Sequence, residues 1–158
     1  MGNFTVEIKT MNQSFFIGKT ITGPYWELGE PITQCFQWAQ ANEKDINGSM
    51  HILYYDNPKE ISPESCRAFI GFPVKKDAVA SGGFEKKLEE EQTVAFVVFK
   101  GAHHSKEKHN AYTLLYQWVK DNPQWEAQSP LTEIYVVFGP HLSEGELVTE
   151  ICLPLKKA

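Results

Sequence analysis

The sequence contains two similar halves, and this internal repeat constrains the fold more than any other feature. One such match alone is weak evidence, but three in the same order at nearly one offset predict two copies of a unit of about 80 residues. The matching segments, at offsets of 80, 82 and 81 residues, are CFQWAQAN at 35–42 with LYQWVKDN at 115–122, ILYYDNP at 52–58 with IYVVFGP at 134–140, and FPVKK at 72–76 with LPLKK at 153–157.

Each copy has the pattern of a strand, a helix and two further strands. Runs of β-branched and aromatic residues predict the strands, and apolar residues at helical spacing predict the helices. In the second helix the predicted buried stripe is Tyr112, Leu115, Tyr116 and Val119. The predicted elements are strands at 15–21, 51–55, 67–74, 93–99, 132–138 and 147–155, with helices opening at Gly29-Glu30-Pro31 and spanning 108–120.

The repeat predicts one α+β domain of two pseudo-two-fold strand-helix-strand-strand repeats. Repeat one covers about residues 4–76, a Gly-rich linker covers 77–83, and repeat two covers about 84–157. The charge run at 85–91 is expected to be a solvated segment. A short linker brings the halves together, so we expect a groove between them, and such grooves are favoured places for small ligands.

Composition limits the classes of partner. The chain has 158 residues with a net charge of -5, which argues against direct nucleic-acid binding because phosphate binding needs a basic surface. No apolar stretch approaches the roughly 20 residues of a membrane span, and Met1–Thr10 has no apolar signal-peptide core. The three cysteines are scattered and read as reduced thiols. A cytoplasmic protein is the expectation.

Glu133 is the candidate functional carboxylate, because it interrupts an otherwise uncharged, β-prone run. Strand alternation places Glu133 and Tyr135 on one face, with Ile134 and Val136 on the other. If the second pair packs on the helices, Glu133 lies on the opposite, groove face among aromatics. A carboxylate there must carry a proton or pair with a cation. The alternative is an edge-strand Glu that faces water.

Aromatic residues outside the predicted helix stripes are the candidate walls of a binding site. Aromatic faces attract cations by roughly 0.5–2 kcal/mol each, so several around one acidic residue would form a receptor for a lipophilic cation. The alternative is that these rings are ordinary core. The candidates are Tyr25, Trp26, Tyr55, Phe72 and Tyr135.

No metal or cofactor site is predicted. His103, His104 and His109 cluster before the second helix, but they lack the spacing and the fourth ligand of a zinc site. The sequence also lacks a legible nucleophile elbow and a Gly-rich phosphate loop.

Several segments together resemble the GyrI-like domains, the effector-binding domains of AraC- and MerR-type multidrug regulators. The resemblance covers nearly the whole chain, and the two repeats agree with the duplicated fold of that family. The segments that carry it are YYDNP at 54–58, ISPE at 61–64, CR at 66–67, FKG at 99–101, LYQW at 115–118, TEIY at 132–135, GELVTEI at 145–151 and LPL at 153–155.

The resemblance implies a pocket between the halves for bulky, aromatic and often cationic compounds. Glu133 matches the acidic residue of the family's "EIY" strand, Tyr55 matches the tyrosine of "YDNP", and residues 23–25 match a "GPY" motif. The second-half counterpart, usually "KGPY", departs at residues 100–103, which read KGAH. Family regulators carry a DNA-binding module ahead of this domain. The present sequence has none, so the expectation is a stand-alone binding module.

Three functions follow from the resemblance. The leading one is a binder of lipophilic cations that uses Glu133. The second is a hydrolase of strained cyclopropane-bearing natural products, in which Glu133 would be the general base with help from a tyrosine. The third is a protein partner that inhibits a topoisomerase. A haem-binding relative is a further alternative, for which His51 is the one histidine on a predicted groove strand. Whether the chain forms a homodimer stays open.

Overall fold

The computed structural model describes residues 5–102, 106–137 and 142–158. The fold is mixed α+β, built mostly from antiparallel strands, with helices α1 (Gly29–Ala41) and α2 (Lys106–Asp121) in the described residues. The strands are β1 (Glu7–Met11), β2 (Ser14–Thr22), β3 (Met50–Tyr54), β4 (Arg67–Val74), β5 (Glu85–Glu89), β6 (Gln92–Lys100), β7 (Trp125–Ala127), β8 (Leu131–Val137) and β9 (Val148–Lys157).

The chain divides into two compact units, and the first comprises residues 12–91. Its antiparallel strands lie in the order β3-β4-β2-β5. Helix α1 has Pro31 in its first turn, where a missing backbone N–H is tolerated. The helix buries Cys35, Trp38 and Ala39 at helical spacing, and the ring of Phe36 packs edge-on against Phe72 of β4 with centroids 5.4 Å apart. This packing covers one face of the sheet.

The second unit combines β1 with the described residues after Glu91. Its strands lie in the order β1-β6-β9-β8, and β7 also pairs with β9. Helix α2 packs Ala111 and Leu115 into a buried cluster with residues of β6 and β9, among them Phe99 and Ile151. Of the predicted stripe, Leu115 is buried, Tyr112 and Val119 are partly buried against the cluster, and Tyr116 is 46% exposed.

Within each unit a strand, a helix and two or more strands follow in that order. The duplication, its two-fold relation and the groove stay predictions from the sequence. The first unit runs past the expected linker at 77–83 to Glu91, because the charge run forms β5 and pairs with β2. Three of its five side chains are exposed, as expected for a solvated segment, but the backbone is part of the sheet.

Candidate functional site

Glu133 lies near the centre of β8 and is 2% exposed, so the alternative of an edge-strand Glu in water is wrong. The predicted face is also wrong. Glu133 opposes Ile151 of β9, and directly opposed residues of antiparallel strands share a face. Because Ile151 belongs to the cluster packed against α2, Glu133 lies on the helix-covered face of its sheet. Strand alternation predicts which residues share a face, but not which face packs against α2. Glu133 lies on the face that packs against α2, whereas the sequence predicted the opposite face.

Helix α2 supplies two partners for the Glu133 carboxylate. The Lys108 ammonium lies 2.9 Å from Oε1, and the Tyr112 hydroxyl donates a hydrogen bond to Oε2. Lys108 and Tyr112 are four residues apart, so both side chains extend from the same face of the helix. A buried carboxylate is thereby compensated by one cation and one neutral donor, as burial requires.

The Tyr112 phenol is held in its protonated form. Burial, and then the nearby charge of Glu133, raise the pKa of Tyr112 well above its usual value. Tyr135, two residues after Glu133 on the same strand face, is also buried, and an ionised Tyr135 would raise the pKa of Tyr112 further. The second unit thus brings together Glu133, Tyr112, Lys108 and Tyr135.

The arrangement offers three chemical capacities. A carboxylate has about four lone-pair sites, so Glu133 can accept hydrogen bonds beyond its two observed partners. It can act as counter-charge to a cation in a water-poor site, where charge pairing is strong. With Tyr112 as a proton-bearing neighbour, it also has the residue types of an acid–base pair.

The other predicted site residues belong to the first unit. The Tyr25 hydroxyl donates to the carbonyl of Arg67 at 2.7 Å and accepts from the backbone N–H of Asp56 at 3.2 Å, which ties the Tyr25 segment to β4. Trp26, next to it, is 73% exposed. Phe72 is buried beneath α1, against Phe36.

Tyr55 follows β3 and is already in contact with cations of its own unit. Lys87 of β5 donates a hydrogen bond to the Tyr55 hydroxyl at 2.5 Å, and its ammonium lies 5.1 Å from the centre of the Tyr55 ring and 4.8 Å from that of Phe69. The Arg67 guanidinium lies 5.7 Å from the same Tyr55 ring. The aromatic surface around Tyr55 therefore attracts positive charge.

Sequence reasoning missed Lys108 and Lys87 as members of these clusters, and it placed Tyr112 only in the core. The signal for the first pair was present, since Lys108 and Tyr112 have the four-residue spacing of one helix face. Lys87 was treated as part of a solvated charge run, because a strand of sequence EKKLE has one apolar residue.

Metal ligands, membrane-spanning helices and cysteines can be assessed for the described residues. In that part of the chain no group of three or more His, Cys, Asp or Glu side chains is arranged to hold a metal, while His103 and His104 lie outside it. Neither α1 nor α2 is long and apolar enough to cross a membrane. Cys35, Cys66 and Cys152 are buried free thiols.

Comparison with known sequences identifies the family. The sequence model of the GyrI-like small molecule binding domain matches residues 4–156. A DNA gyrase inhibitor of Serratia proteamaculans (strain 568) is 30% identical over 76 residues, which are 48% of this chain and 48% of that relative. A DNA gyrase inhibitor of Edwardsiella piscicida is 28% identical over 79 residues, or 49% of this chain and 50% of the relative. The matched regions thus span about half the length of these relatives.

Solved structures have the same fold. The EcmrR C-terminal domain is similar with a TM-score of 0.77 and 24% identity, over 98% of this chain and 99% of that one. SAV2435 bound to tetraphenylphosphonium is similar with a TM-score of 0.66 and 12% identity, over 96% of this chain and 94% of that one. A hydrolase from Listeria innocua is similar with a TM-score of 0.64 and 8% identity, over 96% of this chain and 91% of that one. With the family match over nearly its whole length, the chain belongs to the GyrI-like small-molecule-binding domains.

Proposed function

We propose that this member of a small-molecule-binding family takes bulky aromatic or lipophilic cations, with Glu133 as the counter-charge. The observation that carries the proposal is the Glu133 carboxylate, buried in the second unit and compensated by the Lys108 ammonium and the Tyr112 phenol. A protein that only needed a stable core would gain from an apolar residue at this position, because desolvating a carboxylate is costly. A cationic ligand is a reason for its presence.

The chemistry of the surrounding residues supports the same class of ligand. A weakly hydrated aromatic cation loses little hydration on entering a site of low polarity, and it gains from ring faces as well as from the carboxylate. The complex of SAV2435 with tetraphenylphosphonium provides an example of such a cation on this fold. It suggests tetraphenylphosphonium as the first probe.

The proposed ligand contacts beyond Glu133 differ in the support that they have. Tyr135 is supported by its position on the Glu133 face of β8, and Tyr55 by the cations already beside its ring. Trp26 is proposed on its exposure, which leaves its indole accessible. Two members of the set have structural contacts that compete with a ligand role: Tyr25, through its backbone hydrogen bonds, and Phe72, through its packing on Phe36.

A titration of the wild type and Glu133→Gln with tetraphenylphosphonium, followed by tryptophan quenching, tests the proposal. We expect saturable binding by the wild type and a loss of at least about tenfold in the variant, since a charge pair is replaced by a neutral amide. Glu126→Gln, which removes an exposed carboxylate of the same unit, is the matched control. The neutral analogue triphenylphosphine oxide should bind Glu133→Gln and the wild type alike. Equal losses for both probes would contradict charge pairing.

A hydrolase is the second candidate, and the contact between Tyr112 and Glu133 is the observation that favours it. Glu133 would take a proton from a water molecule as its oxygen bonds to a ring carbon, and the Tyr112 phenol would donate a proton to the other carbon of the strained C–C bond as that bond breaks. The proton on Glu133 then returns to Tyr112 through their hydrogen bond. The similar fold of a Listeria innocua hydrolase is compatible with this role. Incubation with a cyclopropane-bearing natural product, followed by mass spectrometry, tests it. A water adduct formed by the wild type and lost in Glu133→Gln is expected; unchanged compound contradicts it.

Inhibition of a topoisomerase is the third candidate, favoured by the two gyrase inhibitors among the relatives. The matched regions cover about half of those proteins, so the activity is a proposal for this chain. A gyrase supercoiling assay with the purified protein tests it directly, with the protein heated beyond unfolding as the control. Unchanged supercoiling at saturating protein would exclude this function.

A further inference from the structure

The Glu133 carboxylate already has a cation of the chain beside it. The Lys108 ammonium lies 2.9 Å from Oε1, and the side chains of Lys108 and Glu133 are 13% and 3% exposed. A pair of this geometry and burial is strongly coupled, because few water molecules screen it. Any other cation that reaches Glu133 therefore competes with Lys108.

Lys108 occupies a position where the helix itself disfavours a positive charge. It is the third residue of α2, in the first turn, and the backbone N–H groups there form the positive end of the helix dipole. An ammonium in that turn is destabilised by the helix and stabilised by Glu133. The lysine is consequently held in place by the carboxylate more than by its own helix.

The two partners of Glu133 differ in what they permit. Tyr112 donates through a neutral hydroxyl, which can remain on Oε2 when a cation binds beside it. Lys108 cannot remain in the same way. Two cations beside one buried carboxylate leave an uncompensated positive charge in a medium of low dielectric, which is costly.

We propose that Lys108 is a tethered competitor for the cationic ligand, whose positive group displaces the Lys108 ammonium from Glu133 into water. The inference rests on the proposed function of Glu133 as a counter-charge. In this role Lys108 determines how much more tightly the site binds a cation than a neutral molecule of the same shape. A neutral ligand leaves the Lys108–Glu133 pair intact, whereas a cation has to break it.

Hydration makes this exchange favourable for one class of cation. An ammonium is a compact, strongly hydrated charge on a flexible stem, so Lys108 regains water when it leaves. An aromatic cation with a delocalised or shielded charge loses less hydration when it enters. The exchange therefore favours lipophilic cations over small amines whose hydration equals that of the lysine.

The test measures the affinities of Lys108→Met and Lys106→Met for tetraphenylphosphonium and for triphenylphosphine oxide in the same buffer. Lys106 is exposed two residues earlier in the same helix, so its substitution removes an equal charge without removing the ammonium beside Glu133. We expect Lys108→Met to bind tetraphenylphosphonium roughly tenfold or more tightly than the wild type. The affinity of Lys108→Met for triphenylphosphine oxide should equal that of the wild type, and Lys106→Met should bind both compounds with wild-type affinity.

The background of Glu133→Gln separates the mechanism from a general charge effect. In that background Lys108→Met should give no gain, because no carboxylate is left to compete for; a gain that persists there overturns the proposal. Lys108→Gln, which retains a hydrogen-bond donor, replaces the methionine variant if circular dichroism shows the latter unfolded. If the wild type binds the cation through Glu133 and Lys108 variants bind no tighter, the competitor role is wrong while the proposed function stands. If neither the wild type nor the Lys108 variants bind tetraphenylphosphonium, the competitor role and the proposed function are both wrong.

Discussion

The phenol of Tyr112 donates its hydrogen bond to Oε2 of Glu133, and so joins the first half of α2 to the middle of β8. The Glu133 carboxylate is buried and Tyr112 is partly buried, and an apolar residue at either position would remove this hydrogen bond from the other. This contact therefore links the stability of the second unit to the state of the candidate site.

Replacing Tyr112 by Phe should destabilise the protein by about 1–3 kcal/mol, because the hydroxyl is lost while a buried carboxylate oxygen loses its donor. Tyr116→Phe is the matched control: it removes a hydroxyl one helical turn later, from a half-exposed side chain. That control should change the free energy of unfolding by no more than about 0.5 kcal/mol. Urea denaturation measures both. Equal effects of the two substitutions would mean that the contact with Glu133 adds no stability.

Stability should fall in alkaline solution, in part through Tyr112. The unfolded chain releases the phenolic proton near the ordinary pKa of about 10. The folded protein retains it to higher pH, because burial and Glu133 raise the pKa of Tyr112. Above about pH 10 the folded state binds more protons than the unfolded state, so the free energy of unfolding decreases as pH rises. Denaturation of Tyr112→Phe should show a shallower decrease; parallel curves would contradict this assignment.

Asp56 should contribute to stability at neutral pH and lose that contribution in acid. Its carboxylate accepts hydrogen bonds from the Arg67 guanidinium at 2.9 and 3.0 Å, and the guanidinium holds the pKa of Asp56 below its usual range. The stabilisation is present above the unfolded pKa of about 3.9 and disappears as pH falls through the lower folded value.

Asp56→Asn should accordingly have a lower unfolding midpoint in urea at pH 7, and the difference from the wild type should shrink in acid below about pH 4. Asp77→Asn, at an exposed position after β4, serves as the control and should follow the wild type throughout. A difference that stays constant down to about pH 2 would show that the charge of Asp56 is not what matters.

The close approach of β2 and β4 at Gly18 should make that position intolerant of any side chain. A Cβ there would lie 1.9 Å from the carbonyl oxygen of Ile70, which is backbone and cannot rotate away. We expect Gly18→Ala to destabilise the protein by about 3 kcal/mol or to prevent folding. Gly29→Ala, at the open first position of α1, should be neutral or slightly stabilising. Thermal melts distinguish them, and similar melting temperatures would refute the expectation.

Phe72 and Trp26 should respond in opposite ways to truncation. Phe72 is 6% exposed and packs on Phe36, so Phe72→Ala should cost about 3–5 kcal/mol of stability. Trp26 is 73% exposed, so Trp26→Ala should leave stability within about 0.5 kcal/mol. A ligand role of Trp26 would then appear as weaker tetraphenylphosphonium binding by a fully stable variant, measured by calorimetry. Unchanged affinity would remove Trp26 from the site.

Much of the regular structure was predictable because the local signals were strong. The β-rich run 67–74 is β4, and Gly29-Glu30-Pro31 begins α1 as predicted. Strands β1 and β5 were missed because their residues are mostly charged or polar and their pairing is with distant strands. Edge strands of this kind gain their structure from the neighbouring strand rather than from an apolar face.

The candidate site was predictable only in part. Glu133 stands out in any reading of β8, because a charged residue in an apolar strand needs a partner. Its partners were not predictable in the same way. Which face of β8 meets α2 depends on long-range packing, and a one-residue change in register reverses it. Lys108 was not predicted as a partner, because it is one of three consecutive charged residues at the start of its helix.

Strand β1 also bears on the order in which the units can form during synthesis. It pairs with β6, and Lys9 bonds to Glu150 at 2.5 Å, so the second unit needs residues from both sides of the first. The first unit consists of one continuous segment and can be completed as soon as that segment leaves the ribosome. The strand partner of residues 7–11 is available only once β6 has been translated, and the Lys9–Glu150 ion pair needs β9 as well. Of the described strands, the first in sequence therefore pairs only after the whole first unit has been translated.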